Sequence, residues 1–177
     1  ILWVDNDNFG MMQKVVTMLI EKGHKNIGFI GGPKEMNVSK DRLLGYKEAL
    51  KINNIDYNED YIIHGEDFTE NIGYNLAKQL LKSSEITAVV TTDDILSIGL
   101  NKYVKNLKNR NIAIVGFNNA PLVEYQEPKL ASVDIKAEEL GYNSAKLLIE
   151  FLLDGKIKEN YYIVPAQIIQ RESMFSI

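Results

Sequence analysis

Short apolar runs rich in β-branched residues alternate with segments of helical periodicity, and this alternation is the strongest constraint on the fold. The runs predict buried strands over 1–4, 26–30, 61–63, 87–90 and 112–117. Between them, apolar residues recur three or four positions apart, as in Phe9, Met12, Val16 and Leu19. Buried strands that alternate with helices predict an α/β fold with a doubly wound parallel sheet.

Residues between these segments indicate where the elements begin and end. Gly23 stands where a helix C-terminus needs a positive φ. Ser39, Thr69 and Asp93 stand at predicted helix N-caps. The last third departs from the alternation and adds a loop, a strand, a long helix and two short strands, predicted over 118–128, 131–133, 137–153, 161–164 and 167–170.

The composition excludes several classes of protein. The 177 residues carry 24 acidic and 20 basic side chains, so the chain as a whole has no electrostatic attraction for nucleic acid. The absence of cysteine excludes a disulfide framework and a zinc-thiolate site. No apolar run approaches the ~20 residues that span a bilayer, which excludes a membrane protein. The first residues lack the basic segment of a secretory signal, so we expect a cytoplasmic fragment of a longer protein.

Three motifs suggest chemistry that their spacing does not support. The glycines of 28–32 miss the dinucleotide-binding pattern, and Pro33 stands where the phosphate-binding helix should begin. The run 5–10 resembles the start of a calcium loop but lacks its closing glutamate, and it fits a polar crossing and a helix start better. His24 and His64 lie too far apart for a local metal pair. We therefore expect no metal, no cofactor and no catalytic residue.

Polar side chains collect where the predicted strands end. Ligands of open α/β sheets bind beyond the carboxyl ends of the strands. Arg42 lies in the predicted first turn of the helix that follows the loop 32–38. These ends also carry Asp5, Glu66, Asp67, Phe68, Thr91, Thr92, Asp93, Asp94, Asn118 and Asn119. A guanidinium and amides can bridge adjacent hydroxyls, and an aromatic ring packs on the apolar face of a sugar. The set favours a polyhydroxylated ligand.

Each candidate also has an ordinary structural explanation. For Arg42 this is the balancing of Asp41 or of another local carboxylate, for Phe68 a place in the core, and for Asn118 a turn at a strand end. Asp94 fits a helix cap or a loop-stabilising group better than a ligand contact. An acid/base pair among the carboxylates, which would make the protein an enzyme, is a further alternative.

Six motifs in order, across nearly the whole chain, resemble the lac repressor family of transcriptional regulators. They are VDN at 4–6 with GHKNIGFIGG at 23–32, DRLLGY at 41–46, TAVV at 87–90 with DILSIG at 94–99, IVGFNN at 114–119, LASV at 130–133 and QRES at 170–173. The closing QRES motif favours the regulators over their periplasmic sugar-binding relatives.

The resemblance implies a periplasmic-binding-protein-like fold of type I, with two lobes, three crossovers between them and the effector in the cleft. It assigns 1–135 to the C-terminal lobe, with the first crossover near Asp5. It assigns 136–164 to a remnant of the N-terminal lobe and 165–177 to the return into the C-terminal lobe. The rest of the N-terminal lobe and a DNA-binding helix-turn-helix domain would be missing from the chain.

The resemblance also implies a set of ligand-binding positions, namely Arg42, Asn118, Phe68, Asp5, Met36 and Val38. In the family, the arginine matching Arg42 binds the effector, an aromatic matching Phe68 packs on it, and the aspartate matching Asp5 lies at the hinge. Met36 and Val38 occupy loop positions that are often polar in the family. Asn118 replaces a common aspartate, and the lost charge favours a neutral saccharide over a cationic effector.

The leading hypothesis is therefore the effector-sensing domain of a bacterial repressor of sugar-utilisation genes, with a hinge that controls DNA binding. The runs 117–125 and 132–135 are similar to maltose-operon regulators. They predict maltose or a maltodextrin as effector, operator DNA contacted only through the missing domain, and a homodimer away from membranes. Two alternatives remain: a periplasmic-type sugar-binding protein, and an α/β sugar-processing enzyme.

The long helix over 137–153 poses a separate problem. Its apolar stripe comprises Leu140, Leu147, Leu148, Phe151 and Leu152. This stripe should pack on a sheet that the chain lacks. Exposed apolar area of that size usually finds a partner. We expect the helix to fold against the C-terminal lobe or to pair between chains, with exchange of segments as one route.

Overall fold

The computed structural model describes residues 2–107, 110–154 and 160–175. Its strands are β1 (Trp3–Asp5), β2 (Ile27–Gly31), β3 (Ile62–His64), β4 (Ala88–Thr91), β5 (Ala113–Phe117), β6 (Ala131–Asp134), β7 (Tyr161–Ile163) and β8 (Gln167–Ile169). Its helices are α1 (Asn8–Glu21), α2 (Asn37–Ile52), α3 (Glu70–Leu80), α4 (Asp94–Val104) and α5 (Ala137–Asp154). Residue 1, which we assigned to the first strand, lies outside the described residues.

Six strands form a main sheet in the order β3-β2-β4-β5-β6-β8. All neighbours are parallel except β6 and β8, which are antiparallel. Apolar residues of α1 and α2 pack on one face of this sheet, and those of α3 and α4 pack on the other. The predicted doubly wound parallel sheet is confirmed.

Most of the predicted helix boundaries are confirmed by hydrogen bonds. Thr69 and Asp93 accept bonds from backbone N–H groups in the first turns of α3 and α4, and Gly23 has a φ of 98° just after α1. The assignment of Ser39 as an N-cap was wrong. Met36 is the N-cap of α2 and makes no side-chain cap bond, whereas Ser39 lies inside the helix with its buried hydroxyl unpaired among the described residues.

Strand β1 does not join the main sheet, contrary to our prediction of a buried strand. It pairs only with β7, in a separate two-stranded parallel sheet. Trp3 stacks on Tyr161 with ring centroids 5.1 Å apart, yet both side chains are about half exposed. Trp3 and Val4 are apolar, but among the described residues β1 has one neighbouring strand, β7, and a contact with α5, so most of the strand stays exposed.

Helix α5 projects from the main sheet and contacts β1. Most of its large apolar side chains are exposed, among them Leu148, Ile149, Phe151, Leu152 and Leu153, whereas Leu140 and Leu147 are partly buried. Of the two predicted outcomes, folding of this helix against the C-terminal lobe is not found, because the chain leaves the main sheet after β6 and returns only at β8. Pairing between chains stays a prediction. Among the described residues, no helix has both the length and the apolar character needed to cross a membrane.

Residues of the C-terminal QRES motif, 170–173, hydrogen-bond the C-terminal segment to the main sheet. Arg171 donates to the carbonyl of Leu130 and to Glu124. The hydroxyl of Ser173 donates to the Ile114 carbonyl and accepts from the N–H of Ala131, so it joins two strands. The motif that carries part of the family resemblance therefore has a structural role.

Candidate functional site

The candidate site lies at the carboxyl ends of β2, β4 and β5. The chain moves from β2 to β3 on one side and then to β4 on the other, so the strand order reverses here. Such a reversal opens a crevice between the loops that follow the two strands. The loops are tied together, because the Gly32 N–H donates to the Thr92 hydroxyl over 2.8 Å.

Arg42 is held at this crevice by neighbours on three sides. Its Nε and Nη2 donate to Asn8 Oδ1 over 3.0 and 2.8 Å, and its Nη1 donates to the Thr92 carbonyl over 2.6 Å. The guanidinium carbon lies 4.1 Å from the centroid of the Phe117 ring. Arg42 is the sixth residue of α2 and lies in its second turn, one turn later than predicted.

The guanidinium of Arg42 is buried, with only 4% of the residue exposed. Burial lowers its pKa to about 10, although the nearby carboxylates of Asp93, Asp5, Asp94 and Asp41 act in the opposite direction. At neutral pH the side chain is therefore still a cation. A cation fixed by three bonds in a nearly dry site is a preorganised hydrogen-bond donor. Its hydrogen bonds run to Asn8 and Thr92, so the alternative of a simple ion pair with Asp41 does not describe its geometry. The alternative that Arg42 balances another local carboxylate stays open, because Asp93, Asp5 and Asp94 lie nearby.

Asn118 and Asp93 form the second polar group of the site. Asn118 has a φ of 103°, and its Nδ2 donates to Asp93 Oδ2 over 2.6 Å. The other oxygen of Asp93 caps α4 by accepting from the Ile95 N–H. Burial raises the pKa of Asp93, while the capping N–H groups, Arg42 and the Asn118 amide oppose the rise. An aspartate at position 118 would bring two carboxylates into hydrogen-bond distance, which asparagine avoids.

Asp94 stabilises a loop of the site, which is the role that the sequence analysis favoured over a ligand contact. Its two oxygens accept from the Ser132 hydroxyl and from the Ala120 N–H, both over 2.7 Å. These bonds fix the loop that carries Asn118. Burial raises the pKa of Asp94 to about 7, against the effect of those two bonds.

The other predicted positions surround this centre unequally. Phe68 is half-buried and packs over Gly32, so it combines a core contact with an exposed part. Asp5 is exposed, and its Oδ1 accepts from the N–H of Asn6 and from Asn8 Nδ2. Met36 is 45% exposed at the start of α2, and Val38 is partly exposed in its first turn. The structure thus links Arg42, Asp5 and Asn118 through shared neighbours.

Sequence reasoning missed Asn8 and Phe117 as parts of the site, and it placed Thr92 at a strand end without assigning it a role. Asn8 was included in the polar run 5–10 without a role of its own, yet it accepts two bonds from Arg42. Its position just after a strand and at the start of a helix is the signal that could have identified it. Thr92 acts through its backbone carbonyl, which the identity of a side chain does not reveal.

The described residues contain no cluster of three or more histidine, aspartate or glutamate side chains arranged to hold a metal ion. The carboxylates of the site are instead engaged by N–H and O–H donors of the protein. The arrangement offers a fixed cation, an amide and a partly exposed ring. These groups suit the recognition of hydroxyl groups and of an apolar sugar face.

Comparisons with known proteins agree with this geometry. The profile of the periplasmic binding protein-like domain matches residues 16–174. The transcriptional regulator MalR of Streptococcus pneumoniae is 35% identical over 157 residues, which are 86% of this chain and 46% of MalR. The chain spans about half the length of the curated relatives it matches.

Two solved structures show the same fold. One, assigned as the transcriptional regulator LacI from Bacillus cereus subsp. cytotoxis, superposes with a TM-score of 0.94 at 34% identity, over 100% of this chain and 64% of that one. The other, the complex of the regulator CelR with cellobiose, has a TM-score of 0.91 at 29% identity, over 98% of this chain and 54% of that one. The relatives are named as transcriptional regulators and not as enzymes, in agreement with the prediction from the sequence.

Proposed function

The chain belongs to the periplasmic binding protein-like family, as an effector-binding domain of the LacI type, and we propose that it senses a saccharide and thereby controls a transcriptional regulator. The observation that carries this proposal is the buried Arg42, fixed by Asn8 and Thr92 beside the Asn118–Asp93 pair. The Nε, Nη1 and Nη2 atoms of its guanidinium each donate one bond to a described residue, so the orientation of the guanidinium is fixed by the protein itself.

The effector we propose is a neutral saccharide, with maltose or a maltodextrin as the first choice. Support comes from MalR among the relatives and from the cellobiose held by CelR. The Asn118 amide, which replaces a common aspartate of the family, removes a negative charge that a cationic ligand would need. The partly exposed ring of Phe68 fits the apolar face of a pyranose. Met36 and Val38 would contribute apolar contacts and not hydrogen bonds.

The other half of the cleft would come from a second lobe that packs on α5, β1 and β7. The exposed apolar side chains of these elements and the greater length of the relatives support this assignment. We propose the units 1–135, with the first crossover near Asp5, 136–164 and 165–177; β1 precedes that crossover and groups with the second unit through β7. Closure of the two lobes around the saccharide would shift the population of hinge states. We propose that this shift acts on operator DNA through a helix-turn-helix domain of a cytoplasmic homodimer.

Calorimetry with maltose, maltotriose and cellobiose tests the proposal. We expect the chain to bind maltose with a Kd in the millimolar range, roughly −4 kcal/mol, because it supplies one side of the cleft. Arg42→Ala should abolish the heat of binding, and Arg42→Lys should weaken it because the planar donor fork is lost. Lys40→Ala, on the same helix but in an exposed ion pair with Glu35, is the matched control and should bind normally.

Two results would contradict the proposal. One is the absence of binding by any saccharide at concentrations where the chain stays folded. The other is an equal affinity of Arg42→Ala and the unchanged chain, which would place the ligand elsewhere.

A further inference from the structure

Asn6 joins the three segments through which the chain passes between the main sheet and the α5–β1–β7 unit. These segments are 5–7, 134–136 and 164–166. The Nδ2 of Asn6 donates to the carbonyls of Ile135 and Val164 over 3.0 and 2.8 Å. The Val164 N–H donates in turn to the Asp5 carbonyl over 2.8 Å. One side-chain amide thus contacts the other two crossovers.

The same residue is connected to the candidate ligand site. Its backbone N–H donates to Asp5 Oδ1 over 2.7 Å, and the same oxygen accepts from Asn8 Nδ2 over 3.0 Å. Asn8 Oδ1 receives two of the three hydrogen bonds of Arg42. A continuous series of hydrogen bonds therefore runs from Arg42 through Asn8, Asp5 and Asn6 to the crossovers.

The two ends of this series are buried, whereas Asp5 in the middle is exposed to water. Asn6, Asn8 and Arg42 are 7%, 5% and 4% exposed, so water competes weakly for their donors. Asn8 cannot change its amide orientation freely, because its oxygen faces Arg42 while its nitrogen faces Asp5. A displacement of Arg42 by a ligand must therefore be followed by Asn8 or break its bonds.

We propose that Asn6 is a positioning residue that transmits the state of the Arg42 site to the crossovers, with Asn8 and Asp5 as intermediate links. This inference rests on the proposed function for its biological meaning, since the transmitted state is the binding of a saccharide. The hydrogen-bonded series consists only of groups of the chain itself, so it can be tested separately from saccharide binding.

Amide hydrogen exchange of Val164 in the full 177-residue chain measures the coupling without ligand. Removing the side-chain donors in Asn6→Ala should raise the exchange rate about tenfold, and so should Asn8→Ala. A relay predicts that the double variant exchanges no faster than the faster single variant. Independent sites predict that the two factors multiply to about a hundredfold. An increase in the double variant equal to the product of the two single increases, or an unchanged exchange rate in Asn8→Ala, would overturn the relay.

Controls separate transmission from general loss of structure. Asn106→Ala removes an exposed amide that bonds to the Lys102 carbonyl on α4 and should leave Val164 exchange unchanged. Circular dichroism melting verifies that each variant folds. If Asn6→Ala does not fold, Asn6→Ser replaces it, with one donor retained and a smaller expected increase.

Maltose supplies the second arm of the experiment. Saturation of the unchanged chain should alter Val164 exchange at least twofold, whereas Asn6→Ala should bind maltose with the same affinity and show no such response. A response retained in Asn6→Ala would overturn the proposal. Failure of the unchanged chain to bind any saccharide would refute the proposed function instead, and the ligand-free cycle would still decide whether the relay exists.

Discussion

Two regions of the molecule have similar apolar patterns in different surroundings. One is the main sheet with its four helices, and the other is the α5–β1–β7 unit. Both contain apolar strands and amphipathic helices. In the main sheet, β2, β4 and β5 are buried along their full length between two helical layers. In the α5–β1–β7 unit, every residue of β7 and most of α5 are exposed. An apolar pattern thus specifies a face that needs cover, and does not specify what covers it.

The difference implies uneven stability along the chain. Hydrophobic burial stabilises by about 25 cal/mol per Å² of apolar surface, and α5 gains little of it. Regions with few buried contacts open locally at lower free energy than the core. Paired substitutions, one in each region, measure this difference in stability.

Leucine-to-alanine substitution should separate the two regions most clearly. Leu96 on α4 is fully buried, so Leu96→Ala should lower the free energy of unfolding by about 3 kcal/mol through lost burial and a cavity. Leu152 on α5 is 70% exposed, so Leu152→Ala should change it by less than about 0.5 kcal/mol. Urea unfolding measures both. A loss above about 1 kcal/mol at Leu152 would show that α5 is covered in solution.

Glycine-to-alanine substitution tests helix packing in the same two regions. A Cβ at Gly99 of α4 would collide with the backbone carbonyl of Glu70 on α3, so Gly99→Ala should cost about 2 kcal/mol. A Cβ at Gly141 of α5 meets nothing within 4 Å, so Gly141→Ala should stabilise the helix by up to about 1 kcal/mol. Thermal melting distinguishes the two. Destabilisation by Gly141→Ala would indicate a partner close to that face.

The pH dependence of stability tests how dry the main-sheet region is around Asp94. Its pKa is raised from 3.8 to about 7, so between those values the folded state binds more protons than the unfolded state. The contribution of the Asp94 carboxyl to the free energy of unfolding is therefore fully present below pH 4 and is lost as the pH rises through 7. Relative to Asp94→Asn, the unchanged chain should lose on the order of 2 kcal/mol across this range.

Urea unfolding at several pH values provides the comparison. Asparagine resembles the protonated carboxyl in shape and can still accept from the Ala120 N–H. Parallel pH curves for the two proteins would mean that the Asp94 carboxyl is hydrated and not buried in this way.

Tyrosine-to-phenylalanine substitution should give the smallest contrast. The buried Tyr46 hydroxyl donates to the Ile27 carbonyl over 2.7 Å, and burial raises its pKa. Tyr46→Phe should cost about 1 kcal/mol because that carbonyl loses its partner. Tyr142 on α5 is 69% exposed, so Tyr142→Phe should have no measurable effect in urea unfolding. Equal effects at the two positions would remove the distinction between the regions.

The main sheet could be predicted from the sequence because its strands and helices bury each other's apolar faces within the chain. Periodicity identified β2, β4 and β5, and a turn residue such as Gly23 marked a helix end correctly. Prediction failed at β1, whose apolar residues resemble a core strand but have only β7 beside them. It failed at Ser39 because serine is a favourable N-cap residue, whereas the actual N-cap, Met36, has no side-chain group that could accept a capping bond.

The candidate site could be predicted in outline only. The rule that ligands bind at strand ends led to Arg42 and Asn118, which lie at the same crevice. The contacts that fix them involve the Thr92 carbonyl and the ring of Phe117. A backbone carbonyl has no sequence signature, and Phe117 was counted only as the end of a strand. Tertiary geometry decided both.

The most direct test of the saccharide site is a ¹H–¹⁵N titration of the chain with maltose. The account predicts saturable shifts of the Arg42 Nε–H and of the Asn118 side-chain amide, with one common Kd. The side-chain amide of Asn143, which donates to the Glu139 carbonyl on exposed α5, should not move. Unmoved Arg42 and Asn118 signals up to the solubility limit of maltose, or shifts confined to α5, would contradict a sugar-binding role for this end of the sheet.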